Sequence, residues 1–166
     1  MSNLFSNYLL KNIGNKIIPK NKKILITGSN GFIGQYLVEA LANVYEKNNN
    51  IIYGIDINKN NKKFKKYIYY KKNLYNLKKS SIPKIKFDYI IHLAGIPSPV
   101  YYKKFPLETV YLNTELAREL LKLSLKSKSK FVYFSSSEIY GDPFKKFLPT
   151  SENYRGNVSS VGDRSC

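Results

Sequence analysis

The sequence contains one cysteine, Cys166, and it is the last residue. Neither a disulfide framework nor a cysteine-based zinc site can form within the chain. Histidine is equally scarce: His92 stands alone, which excludes a metal site built from several histidines, and no metal is expected. Arginine is limited to Arg118, Arg155 and Arg164. No apolar run approaches the roughly 20 residues needed to span a bilayer. The first stretch, MSNLFSNYLLKNIGNKIIPKN, has no continuous apolar core and no small-residue cleavage site, so it does not read as a secretory signal. These absences lead to a cytoplasmic reading.

Lysine is what the chain has in excess. Lys and Arg number 28 against 11 Asp and Glu, for a formal net charge of +17. Such a charge favours nucleic acid or an anionic membrane. The lysines are scattered, however, as in KKFKKYIYYKK and LKLSLKSKSK, and the arginine forks on which phosphate and base readers rely are few. Lysine and asparagine enriched together throughout read as compositional bias, so neither nucleic acid nor a membrane is expected as a partner. With 166 residues, 43% of them hydrophobic, and 15 tyrosines and 9 phenylalanines, the chain can bury a core of its own.

Residues 1–21 form a polar leader, and regular patterning begins at Lys22. KKILIT is a short β-branched run ending at a glycine turn, as a buried parallel strand does. FIGQYLVEALANVYEKNNN follows as a helix, with Ile33, Leu37, Leu41 and Tyr45 on one face and the asparagine run at its end. IIYGIDI, KYIYY, FDYIIHLAG and KFVYFSSS read as further strands. PLETVYLNTELARELLKLSLK opens with Pro106 at a helix start and aligns Val110, Asn113, Leu116, Leu120 and Leu123. After Gly141 the chain is loop-like, punctuated by Pro143, Pro149, Gly156 and Gly162. Strands alternating with helices predict an α/β fold, a doubly wound parallel sheet whose ligands sit at the carboxyl ends of strands. The glycine turn, the HLAG turn and the serine cluster all fall at such ends and are expected to converge on one crevice.

The stretch ITGSNGFIG sets Gly28, Gly31 and Gly34 between the first strand and the first helix. Three glycines alone are also what a tight structural turn requires. In the cofactor reading each has its own task. Gly28 permits the sharp strand-to-helix turn, Gly31 lets a pyrophosphate approach the backbone, and Gly34 lets the helix pack against the strand. Amides at the helix start, those of Asn30, Phe32 and Ile33, then face the phosphates with the helix dipole behind them. Asp56 ends the second strand, roughly 20 residues further on, where a carboxylate accepts both ribose hydroxyls of NAD and repels a 2′-phosphate. Lys59, Lys62 and Lys63 just after it leave NADP open.

The G-x-x-G-x-x-G spacing of TGSNGFIG resembles the fingerprint of the extended short-chain dehydrogenases/reductases, the NAD-dependent epimerase/dehydratase group acting on nucleotide sugars. That resemblance implies a Rossmann-type sheet, NAD as cofactor, and backbone contact from Leu93 and Ala94 of HLAG. By itself FSSSEIYGDP is an ordinary strand exit, where serine hydroxyls satisfy loose backbone groups. In the resembled group a Ser ahead of the YG pair hydrogen-bonds the sugar 4-hydroxyl, and Ser136 stands at that position. The 4,6-dehydratases carry Asp–Glu next, because eliminating water needs an acid and a base. Here Ser137 and Glu138 follow, a series similar to the UDP-glucuronate decarboxylase (UDP-xylose synthase) branch.

The same branch is resembled by HLAGIPSPVYYKKFPLET, which makes Ser98 and Tyr102 substrate contacts with Ser137, and by Asn113, which falls where the family has the Asn of its NT pair beside the cofactor. ENYRGNVSSVGDRSC is close to the family's E-Y-W-G-N-V-N-P-I-G-P-R-S-C, with Arg155 for the Trp and Asp163 for a Pro. The resemblance implies C4 oxidation by bound NAD, loss of carbon dioxide from a β-keto acid, and re-reduction, with UDP-glucuronate as substrate, Ser136 and Glu138 catalytic, and a homodimer at full length. A 4-epimerase or 4,6-dehydratase on a UDP- or dTDP-sugar stays open, as does a non-catalytic dinucleotide-binding module. His92 reads as a packed strand-end residue rather than a base. Asn73 falls where the family often has an Asp near the adenine.

In the family RSC runs directly into the Tyr of Tyr-x-x-x-Lys, the catalytic base and the lysine that lowers its pKa. Here Cys166 is the last residue. Residues 22–166 are therefore expected to form an incomplete Rossmann domain, without its C-terminal strands and substrate lobe. It would be the N-terminal part of an enzyme and inactive by itself.

Overall fold

The structure is a computed structural model, and it describes residues 20–44, 49–60, 62–75 and 82–161. The expected leader lies outside these apart from its last two positions, and Tyr45 lies outside them as well. The chain divides into two compact units, Met1–Tyr133 and Phe134–Cys166.

The first unit is built on five strands: β1 (Lys23–Thr27), β2 (Ile51–Asp56), β3 (Tyr67–Lys71), β4 (Tyr89–His92) and β5 (Lys130–Tyr133). All pair in parallel, in the order β3-β2-β1-β4-β5. The chain winds outward from β1 to β3, then returns to the far side of β1 for β4 and β5. That reversal leaves a crevice at the carboxyl ends of β1 and β4, where open parallel sheets place their ligands. The register sets Thr27 opposite both Ile55 and His92, so the three strand ends are level.

Alternation along the central strands divides the core between the two faces of the sheet. Ile24 and Ile26 of β1 pack with Ile52, Ile91, and Val38 and Leu41 of helix α1 (Phe32–Val44). Leu25 points the other way, into a cluster with Tyr53, Ile55, Phe87, Ile90 and the helix that precedes β5. Each buried aliphatic side chain contributes about 1.5–3 kcal/mol, and β1 is the strand that supplies both layers. At the amino edge, Asp88 ties β1 to the start of β4: the Lys23 N–H donates to Asp88 Oδ2 (2.9 Å) and Lys22 Nζ lies 3.1 Å from Oδ1. Burial pushes the Asp88 carboxyl up, but these two donors outweigh it and hold it below its ordinary value.

The helices depart from the sequence reading in phase and in number. The buried stripe of α1 is Gly34, Val38 and Leu41, whereas Ile33 is exposed, because Gly34 must face the turn that precedes the helix. The stretch expected to be one long helix is two: α3 (Pro106–Asn113) and α4 (Glu115–Ser127). At the break, the Thr114 N–H and Oγ1 both donate to the Val110 carbonyl (2.9 and 2.7 Å), and Thr114 takes φ −117°. A hydroxyl that competes for the i−4 carbonyl bends a helix at this kind of position. Leu116 and Leu120 of α4 are fully buried and Leu123 is partly so, but Val110 and Asn113 are exposed. A further short helix, α2 (Pro99–Lys104), had no signal in the periodicity; it stops at Phe105, which Pro106 keeps out of the helical region. No helix among the described residues is long and apolar enough to cross a membrane.

The second unit holds two short 3-10 helices, Ser137–Tyr140 and Lys145–Phe147. Gly141 pairs with Asn157 across an isolated bridge. The Asn157 N–H donates to the Tyr140 carbonyl (2.9 Å), and the Asp142 N–H to the Asn157 carbonyl (3.1 Å).

Candidate functional site

The glycine turn is locked to its neighbours by contacts that no side chain could share. Gly28 has φ +70°, the left-handed region that glycine enters without cost. A Cβ there would lie 2.7 Å from the Ala94 nitrogen, so the glycine turn and the HLAG turn touch backbone to backbone. A Cβ on Gly34 would lie 2.1 Å from the Gly28 carbonyl oxygen, which brings the first turn of α1 down onto the loop itself. The Gly28 N–H donates to the Ile55 carbonyl (2.9 Å), and the Leu93 N–H to the Thr27 carbonyl (3.1 Å). Three strand ends are thereby joined into one floor.

Asp56 is buried at the end of β2, and both of its carboxylate oxygens already hold an amide. The Asn30 N–H donates to Oδ2 and the Asn58 N–H to Oδ1, each at 2.9 Å. The Asn30 amide, expected among those facing a phosphate, thus points at Asp56, and the Asn30 side chain donates to the Lys59 carbonyl (2.8 Å). The amides of Phe32 and Ile33 have no backbone acceptor among the described residues. They are the free donors of the first turn, with the positive end of the α1 dipole behind them. Each carboxylate oxygen of Asp56 keeps a further lone pair for a hydroxyl.

Beside Asp56 opens a cleft of about 220 Å³ at the carboxyl edge of the sheet. Its apolar lining comes from Ile55, Ile57, Leu74, Ala94, Ile96 and Leu112. Asp56, Lys72, Asn73 and Glu108 are the polar groups around it, so Asn73 does reach the cleft. Its side-chain oxygen accepts the Tyr75 N–H (2.9 Å), which fixes the turn after β3. An apolar cleft flanked by a carboxylate is suited to a heteroaromatic base with its ribose.

Two tyrosines of β3, which sequence reasoning did not single out, brace this corner. The Tyr67 hydroxyl lies 3.2 Å from Ser29 Oγ, and Gly54 leaves room for its ring, since a Cβ there would lie 2.3 Å from the Tyr67 oxygen. The Tyr69 hydroxyl reaches the carbonyls of Asp56 and Asn58. Burial, then the Asp56 carboxylate and Tyr67, push the Tyr69 hydroxyl up to about 12, so it stays a neutral donor. The signal in the sequence was the alternation of YIYY, read as a strand but not as two inward hydroxyls. Of the lysines that left NADP open, Lys62 is held by the buried Glu39 at 2.9 Å.

His92 is 1% exposed and its role is structural. Its Nε2 lies 3.1 Å from the Leu112 carbonyl, which can only accept, so Nε2 carries the proton. Nδ1 then accepts from the Thr27 hydroxyl (2.7 Å), and the Thr27 oxygen lies 3.4 Å from the Ala94 N–H. This relay holds the HLAG turn in place. Burial pushes the imidazole below its ordinary value, with the Leu112 carbonyl opposing.

Asn113 ends α3 against the same turn: its Oδ1 is 3.5 Å from where a Cβ on Gly95 would stand, and its Nδ2 donates to the Thr109 carbonyl (2.9 Å). Ser98 caps the start of α2, its carbonyl accepting the N–H groups of Tyr101 and Tyr102 (both 2.9 Å). Tyr102 is half-buried. The serine cluster belongs to the second unit, where its geometry is local. Ser136 caps the 3-10 helix by accepting the Glu138 N–H on Oγ (3.2 Å), which leaves its hydroxyl proton directed elsewhere. Ser137 opens that helix and Glu138 follows it.

A family model described as the NAD dependent epimerase/dehydratase family matches residues 24–159. The chain belongs to that family. Among curated relatives it is 34% identical, over 154 residues, to UDP-glucuronic acid decarboxylase 6 of Arabidopsis thaliana, a match spanning 91% of this chain and 43% of that protein. It is 38% identical over 143 residues to the bifunctional polymyxin resistance protein ArnA of Wigglesworthia glossinidia brevipalpis, covering 77% of this chain and 21% of ArnA. Among solved structures it is similar to the UDP-N-acetylglucosamine 4-epimerase of Methanobrevibacter ruminantium M1, with a TM-score of 0.67, 25% identity, and coverage of 83% of this chain and 44% of the epimerase. The chain thus spans less than half the length of the curated relatives it matches. The sheet is the Rossmann type of the family, in its incomplete form, and the family's cofactor is NAD.

Proposed function

We propose that this chain is the NAD-binding part of a nucleotide-sugar enzyme of the UDP-glucuronate decarboxylase type. The observation that carries the reading is the corner at Gly28. Backbone there approaches within side-chain distance of Ala94, two first-turn amides are free, and an apolar cleft opens beside a buried carboxylate. In this reading the amides of Phe32 and Ile33 bind the pyrophosphate, across the backbone of Gly28, Gly31 and Gly34. Asp56 accepts the ribose hydroxyls while Leu93, Ala94 and Asn113 flank the nicotinamide half. When bound, NAD supplies the hydride acceptor for oxidation at C4 of the sugar and the donor for its reversal.

The family resemblance gives sugar-contacting roles to Ser136, Ser137 and Glu138 in the second unit and, separately, to Ser98 and Tyr102 in the first. Ser136 donates to the 4-hydroxyl, since its oxygen is already engaged by the Glu138 amide and its proton is not. Serine rather than aspartate at position 137 takes away the acid that a dehydratase needs. The curated relatives, all bearing the decarboxylase name in the first six cases, support a substrate with a carboxylate at C5. In the whole protein we place a Tyr-x-x-x-Lys pair after Cys166 as the base, and a cytoplasmic homodimer through helices α2 to α4. Leu107 and Val110 of α3 and Leu121 and Leu125 of α4 are exposed apolar groups on those helices.

The test is product analysis with the whole protein, NAD and UDP-glucuronate. Carbon dioxide and a UDP-pentose formed in equal amounts support the proposal. Epimerised UDP-hexuronate without carbon dioxide assigns the chain to the 4-epimerases instead, a reading that the epimerase neighbour favours.

A further inference from the structure

The opposite edge of the sheet carries a second polar opening with an unused donor. Asn50, just before β2, is 4% exposed. Its Oδ1 accepts the Lys22 N–H at 2.7 Å, which fixes the orientation of the amide, because the reverse assignment would set an NH₂ group against an N–H. Its Nδ2 is buried and has no hydrogen-bond partner among the described residues. A buried amide donor without an acceptor costs free energy on the order of a lost hydrogen bond. Asn50 lines a cleft of about 200 Å³, well above the roughly 30 Å³ of one water.

Among the described residues, the charged groups that line this cleft are all lysines. Lys63, Lys65 and Lys66 line it with Leu41, Ile52 and Phe64, and among the described residues no carboxylate lines it. The nearby Glu39 is committed to Lys62 and Lys66 to the Asn49 side-chain oxygen, while Lys63 and Lys65 form no ion pair among the described residues. A neutral donor on one of the lining residues and free ammonium groups around the cleft call for an oxygen ligand with negative charge. The cleft lies at the start of β2 and Asp56 at its end, six residues apart, or about 20 Å of extended strand. It is therefore separate from the cofactor corner.

We propose that this amino-edge cleft binds a phosphate group, with Asn50 Nδ2 donating to one of its oxygens and Lys63 and Lys65 neutralising it. The group is either inorganic phosphate or the phosphate of a small sugar ester. The two are distinguished by titrating ¹⁵N-labelled chain with inorganic phosphate and with glucose 1-phosphate, following the Asn50 side-chain NH₂ and the backbone amides of residues 63–66. Saturable shifts at these signals are expected; tighter binding of the ester assigns the organic source, and equal binding the ion. Asn50→Asp keeps the oxygen that accepts Lys22 N–H but replaces the donor by a repelling oxygen, and weakens binding by about tenfold or more. A Lys63→Ala, Lys65→Ala double variant weakens it and flattens its salt dependence. Wild-type Asn50 signals that ignore both ligands, or that move equally with chloride at matched ionic strength, overturn the proposal without recourse to any variant. Loss of NAD binding leaves this readout untouched, so the two readings fail separately.

Discussion

The carbonyl oxygen of Gly28 sits where a side chain on Gly34 would begin: a Cβ at position 34 falls 2.1 Å from it. The first turn of α1 is therefore seated on the loop that precedes it, and the amides of Phe32 and Ile33 are aimed by that contact.

Gly34→Ala should accordingly displace the helix start rather than merely fill space. The obstacle is backbone and cannot rotate away, so a loss of about 2–3 kcal/mol in stability is expected. Urea unfolding of the variant beside the parent chain measures it. An unchanged midpoint would mean that the helix is not seated on the loop.

Asp56 holds the turn and, in our reading, the ribose. Asp56→Ala strands the Asn30 and Asn58 amides that now donate to it at 2.9 Å. The expected costs are about 2–4 kcal/mol of stability and about tenfold or more in NAD affinity. Calorimetric titration with NAD, run on variant protein shown to be folded by circular dichroism, reads the second effect. Unchanged affinity would remove Asp56 from the ribose site.

His92 gives the fold a pH dependence whose sign follows from its burial. Burial sets its folded value below the ordinary value of 6.5. As pH falls, the unfolded chain takes up the proton first, so this contribution to stability is complete above about 6.5. Below that it is lost progressively as pH falls toward the folded value. His92 is the chain's one histidine, so a slope in that window is its own. Unfolding free energies measured at several pH values should show the decline, and His92→Gln should abolish it. A slope that persists in the variant would assign it to another group.

These residues differ in how far the sequence foretold them. β1, β2 and β4 were legible because buried parallel strands are short apolar runs cut off by turn residues, and ILIT, IIYGID and YIIH are such runs. Gly28 and Asp56 could be placed because each ends one of those strands. The phase of α1 could not be read correctly, since counting apolar residues enrols Ile33, and a glycine that is buried by a backbone contact carries no apolar signal. Likewise the helical period runs unbroken through Thr114, and only its hydroxyl bond to Val110 reveals the break. Asn50 was beyond sequence reasoning altogether: its partner Lys22 is 28 residues away, and an asparagine in a run of asparagines looks like composition.

The most direct test of the account is a titration of the ¹⁵N-labelled chain with NAD, followed amide by amide. Binding at the corner predicts the largest shifts at Gly28, Gly31, Phe32, Ile33, Asp56 and Ala94, with the amides at the Asn50 edge unmoved. An absence of binding, or shifts centred away from the Gly28 turn, would contradict it.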